Sequence, residues 1–372
     1  MSTNVLSRRM LNRATLERQL LLRRSSMPVL DAVEHLVGMQ AQIPLNPYVG
    51  LWSRLDRFQP DELAQMLLDR KVVRIVVMRA TLHLVTADDC LVLRPLAQPV
   101  LDRELAGHRD FGPAVRDVDL DEVLAFVRPL LAERPHTGAE LRAAMETRFP
   151  QYDAAALAYA CRNLLAFVQV PPRGVWGRAA QVTSTTAEAW LGRPLATAPS
   201  IDEVVLRYLA VFGPATAADV AAWSGLTGMR EVADRLRPRL RPFRDERGRE
   251  LFDLPDAPRP DPDTPGPPRF LPEYDNVLLS HDDRSRFGSD EHRKRLFAGA
   301  RPVQGSALVD GFVRATWWID RDRDSGAATL VVDHVDPLPK KAAAALTAEG
   351  RRFLRFVAAE APTHDVRLRA ID

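Results

Sequence analysis

Two glutamines stand two residues apart, Gln40 and Gln42, at the end of an apolar stretch in Glu34-His35-Leu36-Val37-Gly38-Met39-Gln40-Ala41-Gln42-Ile43-Pro44-Leu45-Asn46-Pro47. Pro44 biases Ile43 away from helical backbone, so residues 40 to 43 are predicted to leave a helix and become extended. Residues two apart in extended backbone point to the same side. The pair then presents two neutral amides to one point, each with an acceptor oxygen and two donor hydrogens, and such a pair can hold a water molecule. The same residues also fit a polar helix terminus followed by a turn.

Other chemistry-bearing residues are sparser. His83 lies between Leu82 and Leu84 in a strand-like run, where it reads either as a hydrogen-bonded structural histidine or as a catalytic one. His281 with Asp282 and Asp283 is a polar cluster that also fits a capped turn before an arginine-rich helix. There is no Gly-rich phosphate loop, HExxH, CxxC or Gly-x-Ser-x-Gly, which argues against nucleotide-driven and zinc chemistry. No metal and no cofactor are expected. No lysine lies near the glutamines, so a Schiff-base lyase activity is not expected either. Cys90 and Cys161 sit in helix-like apolar surroundings and read as core, without a disulfide.

The chain of 372 residues is long enough for two or three domains. It is 46% hydrophobic, but no apolar run approaches membrane-spanning length and the N-terminus has no signal-peptide pattern, so a soluble cytoplasmic protein with no membrane partner is expected. With a net charge of only +2, a phosphate-rich partner must be met by local patches and not by the field of the whole molecule. Of the 51 basic residues only Lys71, Lys294, Lys340 and Lys341 are lysines. Arginine suits phosphate recognition, though a GC-rich genome produces the same skew.

The elements that must position these residues repeat one plan. Helical spacing is predicted at 15 to 24, 29 to 39, from about Pro47, and 60 to 70, followed by β-branched runs at 72 to 78 and 81 to 85. Helices followed by strands is the winged-helix order. The plan recurs as helices at about 120 to 134, from His136, and 153 to 166, then 167 to 170 leading to a wing that ends near Val175-Trp176. It recurs again as helices at 201 to 212, from Ala215, and 227 to 236, with a hairpin of 239 to 243 and 249 to 254. Thr137 with Glu140 and Thr216 with Asp219 are matching capping boxes in two of these units. Residues 255 to 268 hold seven prolines and read as a tether. Strands are predicted at 305 to 309, 312 to 319 and 327 to 333, with hairpin turns at Asp310-Gly311 and Asp324-Ser325-Gly326, and a helix of about 338 to 360 closes the chain. The fold class is mainly α with β wings, an α+β chain of three tandem winged-helix units plus a β-rich C-terminal part. The expected divisions are 1–110, carrying the glutamines, then 111–198, 199–254, a linker at 255–269, and 270–372.

Gln40-Ala41-Gln42, Arg79-Ala80-Thr81-Leu82-His83-Leu84-Val85, the run from Leu271 to Arg284 (Leu-Pro-Glu-Tyr-Asp-Asn-Val-Leu-Leu-Ser-His-Asp-Asp-Arg), and Val309-Asp310-Gly311 followed by Trp317 together resemble the winged-helix DNA glycosylase family of YcaQ and AlkZ. The resemblance spans most of the chain, and Gln42 matches the Gln-aliphatic-Gln branch rather than the Gln-aliphatic-Asp branch. It implies three tandem winged helices, excision of alkylated purines, interstrand crosslinks included, and self-resistance to a genotoxin. It also implies Gln40 and Gln42 as catalytic residues, with Arg79, His83, Tyr274, Asp275, His281, Arg284, Arg286, Asp310 and Gly311 meeting DNA. The implied partner is double-stranded DNA carrying alkylated or crosslinked purines, bound by a monomer in the bacterial cytoplasm and nucleoid. The alternative is a non-catalytic winged-helix regulator, which predicts sequence-specific binding and dimer half-sites. No heptad or dimer helix is visible in the sequence to support it.

Overall fold

The computed structural model describes residues 5–298 and 304–371. Its first helix, Arg8–Arg18, is capped by Ser7, whose hydroxyl accepts from the Met10 amide. The helix therefore starts and ends earlier than the apolar spacing of 15 to 24 suggests. Its buried face includes Asn12, Arg13, Thr15 and Arg18, and polar groups are buried only where they find partners. Those partners lie far away in sequence, as described below.

The next helix, Val29–His35, stops short of the expected Met39. Val37 and Gly38 both adopt left-handed backbone, φ 53° and 84°, and the Val37 and Gly38 amides donate to the carbonyls of Glu34 and Val33. This is the double closure of a Schellman motif, and it turns the chain so that Met39–Gln40 emerges as a strand. Helices Asn46–Arg54 and Pro60–Leu68 follow, both with proline in the first turn.

Met39–Gln40 is the edge of an antiparallel six-stranded sheet. The order continues through Leu82–Thr86, Val72–Val76, Phe167–Gln169, Thr183–Thr186 and His136–Thr137. The wings of the first two units are thus one sheet, joined where Arg74 pairs with Gln169 and Ile75 with Val168. The returning strand of the second wing is Thr183–Thr186, not the segment at Val175-Trp176, which is tied down in a turn: the Trp176 amide donates to the Tyr48 hydroxyl. A long helix, Ala87–Gly107, lies where the sequence pattern predicts no element. It contains Pro95 and Pro99, each of which removes one helical hydrogen bond and breaks the local signal.

The second unit contributes helices Leu120–Glu133, Gly138–Arg148 and Ala154–Leu164, and the third contributes Ile201–Phe212, Ala217–Ser224 and Met229–Leu236. Both expected capping boxes form, Thr137 with Glu140 and Thr216 with Asp219. The third hairpin, Arg241–Asp245 with Glu250–Asp253, gains a parallel strand from Val5–Leu6. Buried apolar residues of the first unit, the second wing and the third unit form one continuous cluster that includes Val33, Ile75, Val168, Tyr208 and Trp223. The second unit's helices keep a separate one around Val127, Met145 and Leu157.

The C-terminal sheet runs Arg269–Leu271, Gly305–Val309, Phe312–Arg321, Ala328–His334, His364–Ala370. Helix Lys340–Val357 does not close the chain. It is the crossover that brings His364–Ala370 parallel to Ala328–His334, with Phe353 stacked on Phe270 at 5.3 Å. Residues 255–268 form neither helix nor strand, yet they are no free tether: Arg9, Arg13 and Arg18 of the first helix donate to the carbonyls of Pro262, Thr264 and Pro258. Within the described residues no helix is long and apolar enough to cross a membrane. The whole is the mixed class of helices and β wings that the pattern predicts.

Candidate active site

The strained turn at Val37-Gly38 delivers Gln40 to a position opposite His83 in the sheet register. Gln40 is buried, 8% exposed, whereas Gln42 lies at the surface in a bend. Their oxygens are not both free. The Gln40 Oε1 accepts from Arg79 Nη2 at 3.0 Å, and the Gln42 Oε1 accepts a longer bond, 3.4 Å, from the Leu82 amide. Between them the Ala41 amide donates to the Leu82 carbonyl at 2.7 Å, and the Ala41 carbonyl accepts from Arg74 Nη2 at 2.8 Å. The loop is held by backbone on one side and by two guanidiniums on the other.

Arg74 is the only charged residue in the run Val72-Val73-Arg74-Ile75-Val76-Val77, and that was the available signal for it. It is fully buried, and burial followed by the charge of Arg173 lowers its pKa to about 10. Arg79 is lowered to about 10 as well, by burial and then by the charge of Arg284. His83 is completely buried, and burial, reinforced by Arg79, lowers its pKa to about 3. Its Nδ1 lies 2.9 Å from the Thr81 carbonyl, which can only accept, so Nδ1 carries the proton. His83 Nε2 is then a bare acceptor, buried and without a partner among the described residues.

The Leu271 to Arg284 run braces the other side of the loop. Asn276 Nδ2 donates to the Gly38 carbonyl at 3.2 Å, and Asn46 Nδ2 to the Glu273 carbonyl at 2.6 Å. Asp275 is buried and takes both oxygens to Arg54, at 2.7 and 2.8 Å. A small recess beside Gln40 is lined by Met39, Asn46, Arg54, Pro272 and Asp275.

The remaining candidates separate into three groups. Tyr274, 45% exposed in a left-handed turn of φ 60°, and the exposed Arg284 border a cavity of about 450 Å³ whose walls include Leu278, Leu279, Phe287 and Val313. Asp275, His281 and Arg286 are buried: His281 Nε2 meets the Phe212 carbonyl at 3.0 Å, and Arg286 donates to Thr15 Oγ1, Phe212 O and Pro214 O. Their side chains are committed within the protein rather than directed at solvent. Asp310 and Gly311 form the hairpin turn, with φ 49° and 79°, but it docks on the first helix: Arg9 and Arg13 hold Asp310, and Asn12 Nδ2 donates to the Gly311 carbonyl at 2.8 Å. Gly311 is needed there because a Cβ would stand 2.5 Å from Arg13 Nη1 and Leu16 Cδ1. The structure therefore gathers Gln40, Gln42, Arg79 and His83, sets Arg284 near them, and leaves Asp310 and Gly311 in a separate contact. Among the described residues no three His, Cys, Asp or Glu converge as a metal would require, and both cysteines are free and buried.

The fold is similar to that of DNA glycosylase AlkZ of Streptomyces sahachiroi, with a TM-score of 0.72, covering 98% of this chain and 100% of that one at 22% identity. The family model for AlkZ-like DNA glycosylases matches residues 33–356, and the chain belongs to that family. It is accordingly a DNA N-glycosylase acting on DNA, and the regulator alternative falls away. No curated protein sequence gives a significant match.

Proposed function

We propose that the protein hydrolyses the N-glycosidic bond of purines made cationic by alkylation on N7, including those whose substituent ties the two strands together, with Gln40 and Gln42 placing the water. The observation that carries this reading is that, among the described residues, no carboxyl or imidazole is hydrogen-bonded to the oxygen of either amide. Their bonded neighbours are an arginine and a backbone N–H, His83 is held neutral, and Asp275, the carboxylate at the adjoining recess, is tied by Arg54 at both oxygens.

Positioned proton transfer usually contributes about 10²- to 10⁴-fold. A site without it suits a leaving group that needs no proton. An N7-alkylated purine carries its positive charge already, so the bond from its N9 to the sugar breaks with the electron pair going to the base, which leaves neutral. The sugar becomes oxocarbenium-like, a water oxygen bonds to its anomeric carbon, and the water's proton passes to solvent. Normal bases and neutral lesions are poor substrates on this account. Extruding a base costs a few kcal/mol and is impossible for one still tied to the opposite strand. The exposure of Gln42 supports approach to the sugar in place, and the cavity bordered by Tyr274 and Arg284 offers room for the substituent. The other winged-helix units supply arginines and helix N-termini for backbone contact, and a C-terminal hairpin would occupy the minor groove.

The test incubates the protein with duplex containing N7-methylguanine, and separately with an N7-linked interstrand crosslink, and measures free base and abasic sites. Wild type releases base from both, while Gln40→Ala and Gln42→Ala abolish release and retain duplex binding. Full activity in both variants would remove the glutamines from the mechanism.

A further inference from the structure

Arg79 is a half-buried cation with no carboxylate at ion-pair distance among the described residues. Of the buried arginines, Arg18 and Arg54 are matched to carboxylates, Asp253 and Asp275, while Arg74 and Arg94 bond only neutral oxygens but are sealed from solvent; Arg79 lacks a carboxylate and is partly open to solvent. Arg79 instead donates to two neutral oxygens, Gln40 Oε1 at 3.0 Å and the Trp223 carbonyl at 2.7 Å, and forms no ion pair among the described residues. After burial, the charge of another cation, Arg284, lowers its pKa. Arg284 is exposed, on the short turn Arg284–Phe287, and has no carboxylate at ion-pair distance among the described residues.

The backbone at Arg79 is strained as well. Arg79 and Ala80 both take φ 55° in the five-residue connection, 77–81, between the strands. Such left-handed residues cost about 1–2 kcal/mol each and persist where the surroundings impose them. The third unit does the imposing: Gly225 packs so closely that a Cβ on it would stand 3.2 Å from Arg79 Cα. The strain fixes a five-donor guanidinium beside a candidate catalytic amide with donors to spare. Arg284 reaches the same region through the third unit: it lies two residues after Asp282, whose amide donates to Asp219, one helical turn before the Trp223 whose carbonyl Arg79 holds. Two guanidiniums without carboxylates match the oxygens of a phosphodiester.

We propose that Arg79 and Arg284 seat one backbone phosphate of the damaged strand, and that this phosphate draws the Arg79 guanidinium off Gln40, freeing the amide oxygen to hold the attacking water. Without DNA, the Gln40 oxygen is capped and an unneutralised cation stands where positive charge must develop on the sugar. With the phosphate seated, the charge is neutralised and the acceptor is exposed, so DNA binding arms the site. The proposal rests on the role given above to Gln40.

Two measurements on Arg284→Ala, Arg79→Ala and the double variant test it, with melting curves to establish that each folds. The first is the salt dependence of affinity for undamaged duplex, which needs no catalysis. Each single variant should flatten the slope of log K against log salt by about one, the value of one lost phosphate contact. The second is the single-turnover rate of base release at saturating N7-methylguanine duplex. Arg284→Ala, which loses the phosphate but keeps the cap, should fall about tenfold, and adding Arg79→Ala should partly restore it because the cap is gone. Unchanged slopes overturn the phosphate seat. A double variant no faster than Arg284→Ala overturns the release of Gln40 and leaves Arg79 as a positioning residue only. If wild type releases no base from any duplex, the proposed function fails while the slopes still judge the seat.

Discussion

His83 sits opposite Gln40 in the register with one nitrogen bonded and the other bare, and its burial links the site to pH. Its folded pKa of about 3 lies below the unfolded value of about 6.5. Between those values the unfolded chain binds more protons, so stability falls as pH drops through that window and is flat above it. His281, lowered by burial and by Arg286, acts in the same direction. The urea midpoint at pH 5 should therefore lie below that at pH 7.5, and His83→Asn, whose amide still donates toward the Thr81 carbonyl, should narrow the gap. Chemistry should behave differently. His83 titrates near 3 and Arg79 near 10, so single-turnover base release is expected to be level between about pH 6 and pH 9. A unit slope in that range would mean that a group outside this set carries a proton.

At the scale of elements, the glutamine strand depends on how the preceding helix ends. Gly38 has φ 84°, and a Cβ there would meet Val85 Cγ1 at 2.7 Å and the Leu84 carbonyl oxygen at 3.0 Å. Gly38→Ala combines about 1–2 kcal/mol of left-handed strain with that clash, and the part that must move is the strand pair carrying Gln40 and His83. Lower thermal stability together with a slower single-turnover rate is expected, measured by melting and by base release; a loss of stability with an unchanged rate would show that the turn does not set the position of Gln40. The same reasoning explains why the sequence signals were good at some elements and blind at others. Threonine caps and the Asp310-Gly311 turn are local chemistry and appear where the residues place them. The helix Arg8–Arg18 buries a polar face, so apolar periodicity has nothing to register there.

Across the whole molecule, Asp253 joins three segments that the sequence separates. It is fully buried at the end of the third hairpin, and it accepts from Arg18 of the first helix and from Arg259 of the proline-rich stretch. Asp253→Ala strands a buried guanidinium, a change that typically costs about 3–5 kcal/mol. Glu360→Ala, which breaks an exposed pair with Arg321, should cost no more than about 1 kcal/mol. Because Arg18 lies outside the third unit, tryptophan fluorescence and far-UV circular dichroism should lose stability together in the Asp253 variant; a shift in one signal alone would mean that the units unfold independently.

The sequence alone determined whatever neighbouring residues decide: caps, hairpin turns and the order of helices followed by wings; residues 40 to 43 are non-helical as expected, but because the helix ends at His35 in the Val37-Gly38 turn and not because of Pro44. Tertiary structure decided what depends on residues far apart in the chain. It fused two wings into one sheet through Arg74 and Gln169, added Val5–Leu6 to the third, and pinned the proline-rich stretch to the first helix. It also decided the state of the two amides, burying Gln40 under Arg79 while leaving Gln42 at the surface. Spacing can put two side chains on one side of a strand. Whether their oxygens are free depends on a guanidinium 39 residues away, held in a strained turn by a third unit whose contact no local pattern encodes.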